Sequence, residues 1–129
     1  MNSFILEEFD AEFPYVTYYT VRWEGDELSE TDKFIERFQA DIDYKEEYDE
    51  IAELLRLMGE EHCALDIFFR RFEDEASALP PSRVVQLALN YGGNRLRLYC
   101  IKITDHIVVL FYGGIKSART AQESPDLLN

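Results

Sequence analysis

Apolar residues at positions 44, 48, 51, 55 and 58 step by four and three, which gathers Tyr44, Tyr48, Ile51, Leu55 and Met58 into one helical stripe. Gly59 is the expected stop of that helix. An earlier helix is predicted over 29–39. Ser29 is suited to cap it, Asp32 follows three residues on, and Phe34, Ile35 and Phe38 supply its apolar side. The two helices should form an antiparallel hairpin with acidic outer faces. Before them, residues 14–23 are rich in Val, Thr and Tyr and contain no glycine, the composition of a strand. The acidic, aromatic-dotted residues 1–13 are read as an arm or an edge element.

After the helices, residues 65–72 fit either a strand or a helical turn. Pro80-Pro81 ends whatever precedes it. Residues 83–89 read as a strand, and residues 90–94 as a turn with two glycines able to take positive φ. Residues 95–103 and 106–112 form a predicted hairpin through Thr104-Asp105. Leu96, Leu98 and Cys100 alternate with Tyr99, Ile101 and Ile103. In the second strand, Ile107, Val109 and Phe111 alternate with Val108, Leu110 and Tyr112. Both faces are apolar, so the sheet centre should be covered twice. The predicted fold is a single α+β domain over 1–129: an N-terminal strand, a helical hairpin, then an antiparallel sheet of at least three strands.

Composition supports a packed globule: 47% of the 129 residues are hydrophobic and 18 are Phe, Tyr or Trp. No run of about 18 apolar residues could span a membrane. The N-terminus lacks the basic and long apolar regions of a signal peptide, so a cytoplasmic location is expected. Cys63 and Cys100 sit among apolar neighbours and are expected to be buried free thiols. Charge changes the picture more. The chain carries a net −13, but unevenly: residues 1–69 hold 5 basic and 20 acidic side chains, and residues 70–119 hold 8 basic and 4 acidic. A polyanion would be met by that second, +4 stretch and repelled by the helices.

The same stretch carries a recognisable pattern. Leu96-Arg97-Leu98-Tyr99 leads into Val108-Val109-Leu110-Phe111-Tyr112-Gly113-Gly114-Ile115-Lys116, with Thr120 and Pro125 beyond. Together with the order strand, two helices, antiparallel strands, this resembles the RelE/ParE superfamily of toxin–antitoxin toxins, in particular its HigB-like branch. The resemblance covers residues 95–125; over 14–60 it is one of element order alone. It implies a sheet packed on a helical hairpin, a cognate antitoxin partner and, as in many relatives, cleavage of messenger RNA on the ribosome. Two positions depart from the pattern: Ser117 stands where the family carries a second lysine, and the chain is more acidic than is usual for such toxins.

Cutting RNA with its own 2′-hydroxyl requires a proton acceptor, cations for the charged phosphorane and an acid for the leaving 5′-oxygen. Arg97, Tyr112, Lys116 and Arg119 are the candidate catalytic groups, and Arg95, Arg97, Lys116 and Arg119 the candidate RNA contacts. Arg97 suits a phosphate clamp because a guanidinium matches phosphate geometry. The Gly113-Gly114 pair reads as a turn that lets backbone approach a ligand. Lys102 points to the other face, His106 belongs to an exposed loop, and Arg70-Arg71 reads as ordinary surface charge. His62-Cys63 lacks further ligands at zinc spacing, so no metal and no cofactor is expected. The alternatives are a RelE-like interaction or regulatory protein without catalysis, or a gyrase-targeting toxin. The sequence leaves the oligomeric state open.

Overall fold

The computed structural model describes residues 3–73, 76–92 and 95–116, with the backbone alone at 72 and 73. In chain order it contains strands β1 (Phe4–Asp10) and β2 (Thr17–Trp23), helices α1 (Glu30–Phe38) and α2 (Lys45–Leu57), strands β3 (Arg70–Glu73) and β4 (Ala76–Leu79), helix α3 (Arg83–Ala88), and strands β5 (Leu96–Thr104) and β6 (Ile107–Ile115). The strands make one sheet in the order β1-β2-β6-β5-β4-β3. The α+β class is as expected, and residues 4–10 are an edge strand. The sheet is larger than expected and mixed: β2 runs parallel to β6, while every other neighbouring pair is antiparallel. A parallel pair needs a long crossover, and the two helices that follow β2 begin one.

α1 starts where expected, with Ser29 Oγ accepting the Asp32 amide at 3.0 Å. The α2 stripe is rotated slightly from its predicted line. Ile51, Leu54 and Met58 are fully buried, and Tyr44, Tyr48 and Leu55 pack at the margin. With Phe34 and Phe38 of α1 they cover one sheet face, meeting Val16, Tyr18, Leu96, Leu98, Cys100, Val108 and Leu110. Two buried polar contacts tie this layer together. The Tyr18 hydroxyl donates to Leu55 O at 2.7 Å, and the Thr20 and Thr31 hydroxyls meet at 2.6 Å. The outer helix faces carry exposed ion pairs such as Lys45–Asp49 and Arg56–Glu60.

Three expectations are corrected. Gly59 does not stop α2, which continues as a π turn, Met58–His62, and ends at Cys63 with φ 67°. Gly59 is buried there because the Phe13 ring packs where its Cβ would be. Residues 83–89 are not a strand. Their β-branched pair Val84-Val85 suggested one, but Asn90, at φ 63°, closes a helix: Tyr91 N donates to Gln86 O at 2.8 Å and Asn90 N to Leu87 O at 3.1 Å. That paired arrangement is the Schellman helix end. The presumed turn at 90–94 is therefore partly a helix cap; Gly93 and Asn94 lie outside the described residues. Finally, Gly113-Gly114 is not a turn but lies within β6, opposite Leu98 and Arg97. Of the ambiguous segment 65–72, Asp66–Phe68 is a 3-10 turn and Arg70 begins β3.

The β5–β6 ladder contains one irregularity that matters below. Leu98 pairs with Gly113 and Cys100 with Leu110, so Tyr99 alone faces both Phe111 and Tyr112, a β-bulge. The bulge reverses the alternation. Tyr112, expected on the same face as Leu110, turns to the opposite one, and Gly113 turns toward the helices. A Cβ at Gly113 would collide with the Phe34 ring and the Arg97 carbonyl.

Gly113→Ala should therefore destabilise the fold by about 1–3 kcal/mol, the usual range for overpacking. Gly92→Ala, with open space around the added methyl, should stay within about 0.5 kcal/mol. Urea denaturation of the two variants side by side checks this.

Burial raises the Cys100 thiol above its ordinary 9.0, and burial, aided by Cys100 and Asp10, raises the Tyr18 hydroxyl above its ordinary 10.0. Above those ordinary values the unfolded chain loses protons that the folded chain keeps, so stability must fall as pH rises past about 9. Urea midpoints measured from about pH 7 to about 10.5 should decline, and Tyr18→Phe should lose the part that begins near pH 10. A flat profile for the parent protein would contradict this.

Candidate functional site

The sheet face turned away from α1 and α2 holds the basic residues of interest. Directly paired residues share a face. Arg70 on β3 pairs with Ala78 on β4, and Ala78 with Tyr99 on β5. Tyr99 meets Tyr112 across the bulge, with ring centroids 5.2 Å apart and planes tilted by 35°. Arg97 lies two residues before Tyr99, opposite Gly114, and so on the same face. Ala78 and Gly114, both buried, are the small residues between the large side chains. The result is a cluster of two guanidinium groups and two phenol rings drawn from three strands, β3, β5 and β6.

Both arginines are anchored to backbone carbonyls. Arg70 Nε donates to Pro80 O at 2.9 Å and Nη2 to Pro81 O at 2.7 Å, which ties β3 to the Pro80-Pro81 corner. Arg97 Nη1 donates to Leu96 O at 2.9 Å. Arg97 is only 7% exposed, whereas Tyr112 is 42% exposed. Burial lowers the proton affinity of Arg70. Burial first, and then the like charge of Arg70, push Arg97 down to about 10, against the opposing pull of Tyr99 and Glu47. Both groups stay protonated at neutral pH. Burial also raises the Tyr112 hydroxyl, which is therefore a proton donor at neutral pH rather than a base. The two guanidinium groups are close enough for the charge of Arg70 to be felt at Arg97.

The other expected residues lie at the same sheet end. Arg95 and Lys116 continue the ladder past the last strand pair: Lys116 N donates to Arg95 O at 2.7 Å, and Arg95 Nε reaches Lys116 O at 3.4 Å. Glu47 of α2 fixes the start of β5 by accepting the Arg95 and Leu96 amides at 2.5 and 3.2 Å. Arg95, Arg97, Tyr112 and Lys116 are thus brought together, although Arg97 is a buried member rather than a solvent-facing clamp. Arg119 lies outside the described residues, as do Ser117, Thr120 and Pro125. His106 is at the opposite end of the hairpin, with Nδ1 at 2.7 Å from Tyr15 O. Lys102, on the helix-side face, pairs with Asp66 and Asp105.

Two members were not among the candidate site residues: Arg70 and Tyr99. Tyr99 was visible as a face-mate of Arg97. Arg70 required knowing that residues 70–73 are a strand, after which alternation sends Arg70 inward and Arg71 to the other face. Among the described residues no group of three or more His, Cys, Asp or Glu side chains converges as a metal site. Cys63 and Cys100 are free thiols. No helix is long and apolar enough to cross a membrane among the described residues. Comparison with protein-family models, curated proteins and solved structures finds no match.

Chemically, the cluster joins two anchored cations to a half-exposed phenolic proton donor. Its members should differ sharply in structural weight. Arg97→Ala and Arg70→Ala should each lower stability by about 1–3 kcal/mol through lost packing and orphaned carbonyls, while Tyr112→Phe should stay within about 0.5 kcal/mol. Thermal and urea melting check the ranking, and an Arg97→Ala variant as stable as the parent would contradict it.

Proposed function

We propose that this chain is the toxin of a type II toxin–antitoxin pair, acting as a ribosome-dependent, metal-independent messenger RNA endonuclease restrained by a cognate antitoxin. The observation that carries the reading is the Arg70–Arg97–Tyr99–Tyr112 cluster at the sheet end where Lys116 leaves β6. Apart from Arg70, its members fall within the segment resembling HigB-like toxins. In this reading the RNA 2′-hydroxyl gives its proton to solvent water as its oxygen attacks the adjacent phosphorus, and the bond to the 5′-oxygen breaks. Arg97, with Arg70 behind it and Lys116 beside it, stabilises the charge gathered on phosphorus. Tyr112, protonated at neutral pH, gives its proton to the departing 5′-oxygen. Tyr99 positions Tyr112 through ring contact. The acidic helices lie on the other face, where they do not oppose the approaching strand directly.

The second reading is a RelE-like interaction protein without catalysis. The deep burial of Arg97 and the net charge of −13 favour it. A gyrase-targeting toxin would share the fold but damage DNA.

Induction of the protein alone should arrest growth, with new 5′ ends appearing inside translated messages when mapped by primer extension. Tyr112→Phe should lower cleavage by about 10²–10⁴-fold, the usual contribution of a general acid, with melting unchanged. Soluble expression with normal growth and intact messages would select the non-catalytic reading. Growth arrest with intact messages and broken DNA would select gyrase.

A further inference from the structure

We propose that the outer edge of β1, with the cleft beside it under α1 and α2, docks a basic polypeptide of another protein that adds a strand to the sheet. Among the described residues β1 pairs only with β2 and is one of the two sheet edges. The other edge, β3, is four residues long and carries Arg70 and Arg71, the kind of short, charged strand that discourages pairing. β1 is seven residues long and contains no Lys or Pro. Instead Phe4, Ile5 and Leu6 stand 56%, 45% and 52% exposed in a row, and Trp23 of β2 packs edge-on against Phe4 at 5.6 Å. An exposed apolar edge is a template for another strand.

The two faces of this edge offer different surfaces. Phe4 and Leu6 pair with Trp23 and Val21 on the face away from the helices. Ile5 and Glu7 pair with Arg22 and Thr20 on the helix side, where β1 leads into an apolar cleft of about 180 Å³. Phe9, Phe13, Tyr18, Phe34 and Tyr48 line the cleft, with Asp10 among them. A small-molecule site usually has roughly 300–1,000 Å³. This one is sized for a side chain delivered by a strand.

Charge selects the occupant. Glu7, Glu8, Asp10 and Glu12 follow the apolar trio, and Glu24 and Asp26 close the far end of β2. Of these, Glu7 is paired with Arg22 at 3.3 Å, and Asp26 with Lys33 at 2.6 Å. A second copy would bring another −13 and the same acidic strand to this rim, so a partner rich in Lys or Arg is favoured. The edge is separate from the Arg70–Arg97 cluster and holds whether or not that cluster cuts RNA.

The test uses the full chain and a short synthetic peptide alternating valine with lysine, with a valine–glutamate peptide as control. Hydrogen exchange should slow at least tenfold at the outward amides of β1 when the lysine peptide is present, and Trp23, the sole tryptophan, should report binding by fluorescence. Affinity should fall with added salt, the glutamate peptide should not bind, and Ile5→Lys or Glu8→Lys should each weaken binding at least tenfold with melting unchanged. Protection at β3 instead of β1, binding indifferent to salt or to these substitutions, or no binding at millimolar peptide would overturn the proposal. So would a dimer of the chain alone that protects β1 in sedimentation and exchange measurements, because the edge would then serve a second copy. Loss of RNA cleavage with intact peptide binding would sink the nuclease reading and leave the docking edge standing.

Discussion

The ring of Phe34 in α1 rests directly on Gly113 of β6, and much of the site's geometry follows from that contact. The ring needs a position without a Cβ facing the helices. Simple alternation from Leu110 would send residue 113 to the far face. The bulge at Phe111–Tyr112 supplies the missing step: it turns Gly113 inward and Tyr112 outward. Tyr112 then meets Tyr99, and Gly114 falls opposite Arg97. One helix–strand approach in the core thus decides which aromatic stands beside the arginines on the other side of the sheet.

The same two-sidedness resolves the apparent conflict between an acidic chain and a basic site. The long helices cover one face, and their carboxylates either project to water, pair locally or, like Glu47 and Glu50, accept backbone amides of the 92–96 segment. Arg70 and Arg97 face the opposite way. Most helix carboxylates stand in water on the opposite side of the sheet, where salt screens them, while Glu47 lies close enough to act on Arg97. Net charge governs long-range repulsion and solubility. The local pair of cations stands on the face that the helices leave uncovered.

Legibility in the sequence followed the range of the interactions. The α2 stripe, the Ser29 cap and the hairpin expected at 95–103 and 106–112 are local patterns, and each begins within a residue or two of its expected place, although β6 runs on to Ile115. The parallel pairing of β2 with β6 depends on chain ends about ninety residues apart and has no local signature. α3 was misread because Val84-Val85 carries a strand propensity, while the deciding signals were contacts: Asn90 in a left-handed conformation and Gln86 buried against Pro81 O. At the site, Arg97 and Tyr112 were legible as residue types. Their neighbour Arg70 was not, because it joins them through β3, β4 and β5, and the order of those strands is a property of the whole sheet.

A desolvated guanidinium is an expensive way to fill a sheet. An apolar residue of similar length at position 97 would avoid the desolvation cost, and well-packed replacements of buried ions are often neutral or stabilising. The ion pairs on the helices pose no such question, since exposed pairs such as Lys45–Asp49 contribute little either way. The costly electrostatics are concentrated where Arg97 is pushed to about 10 with Arg70 nearby and a half-exposed phenol marks the opening. Strong perturbation by burial and by a specific charged neighbour is characteristic of functional sites more than of structural ones. Burial lowers the proton affinity of both Arg70 and Arg97, and both stand on the sheet face turned away from the acidic helices.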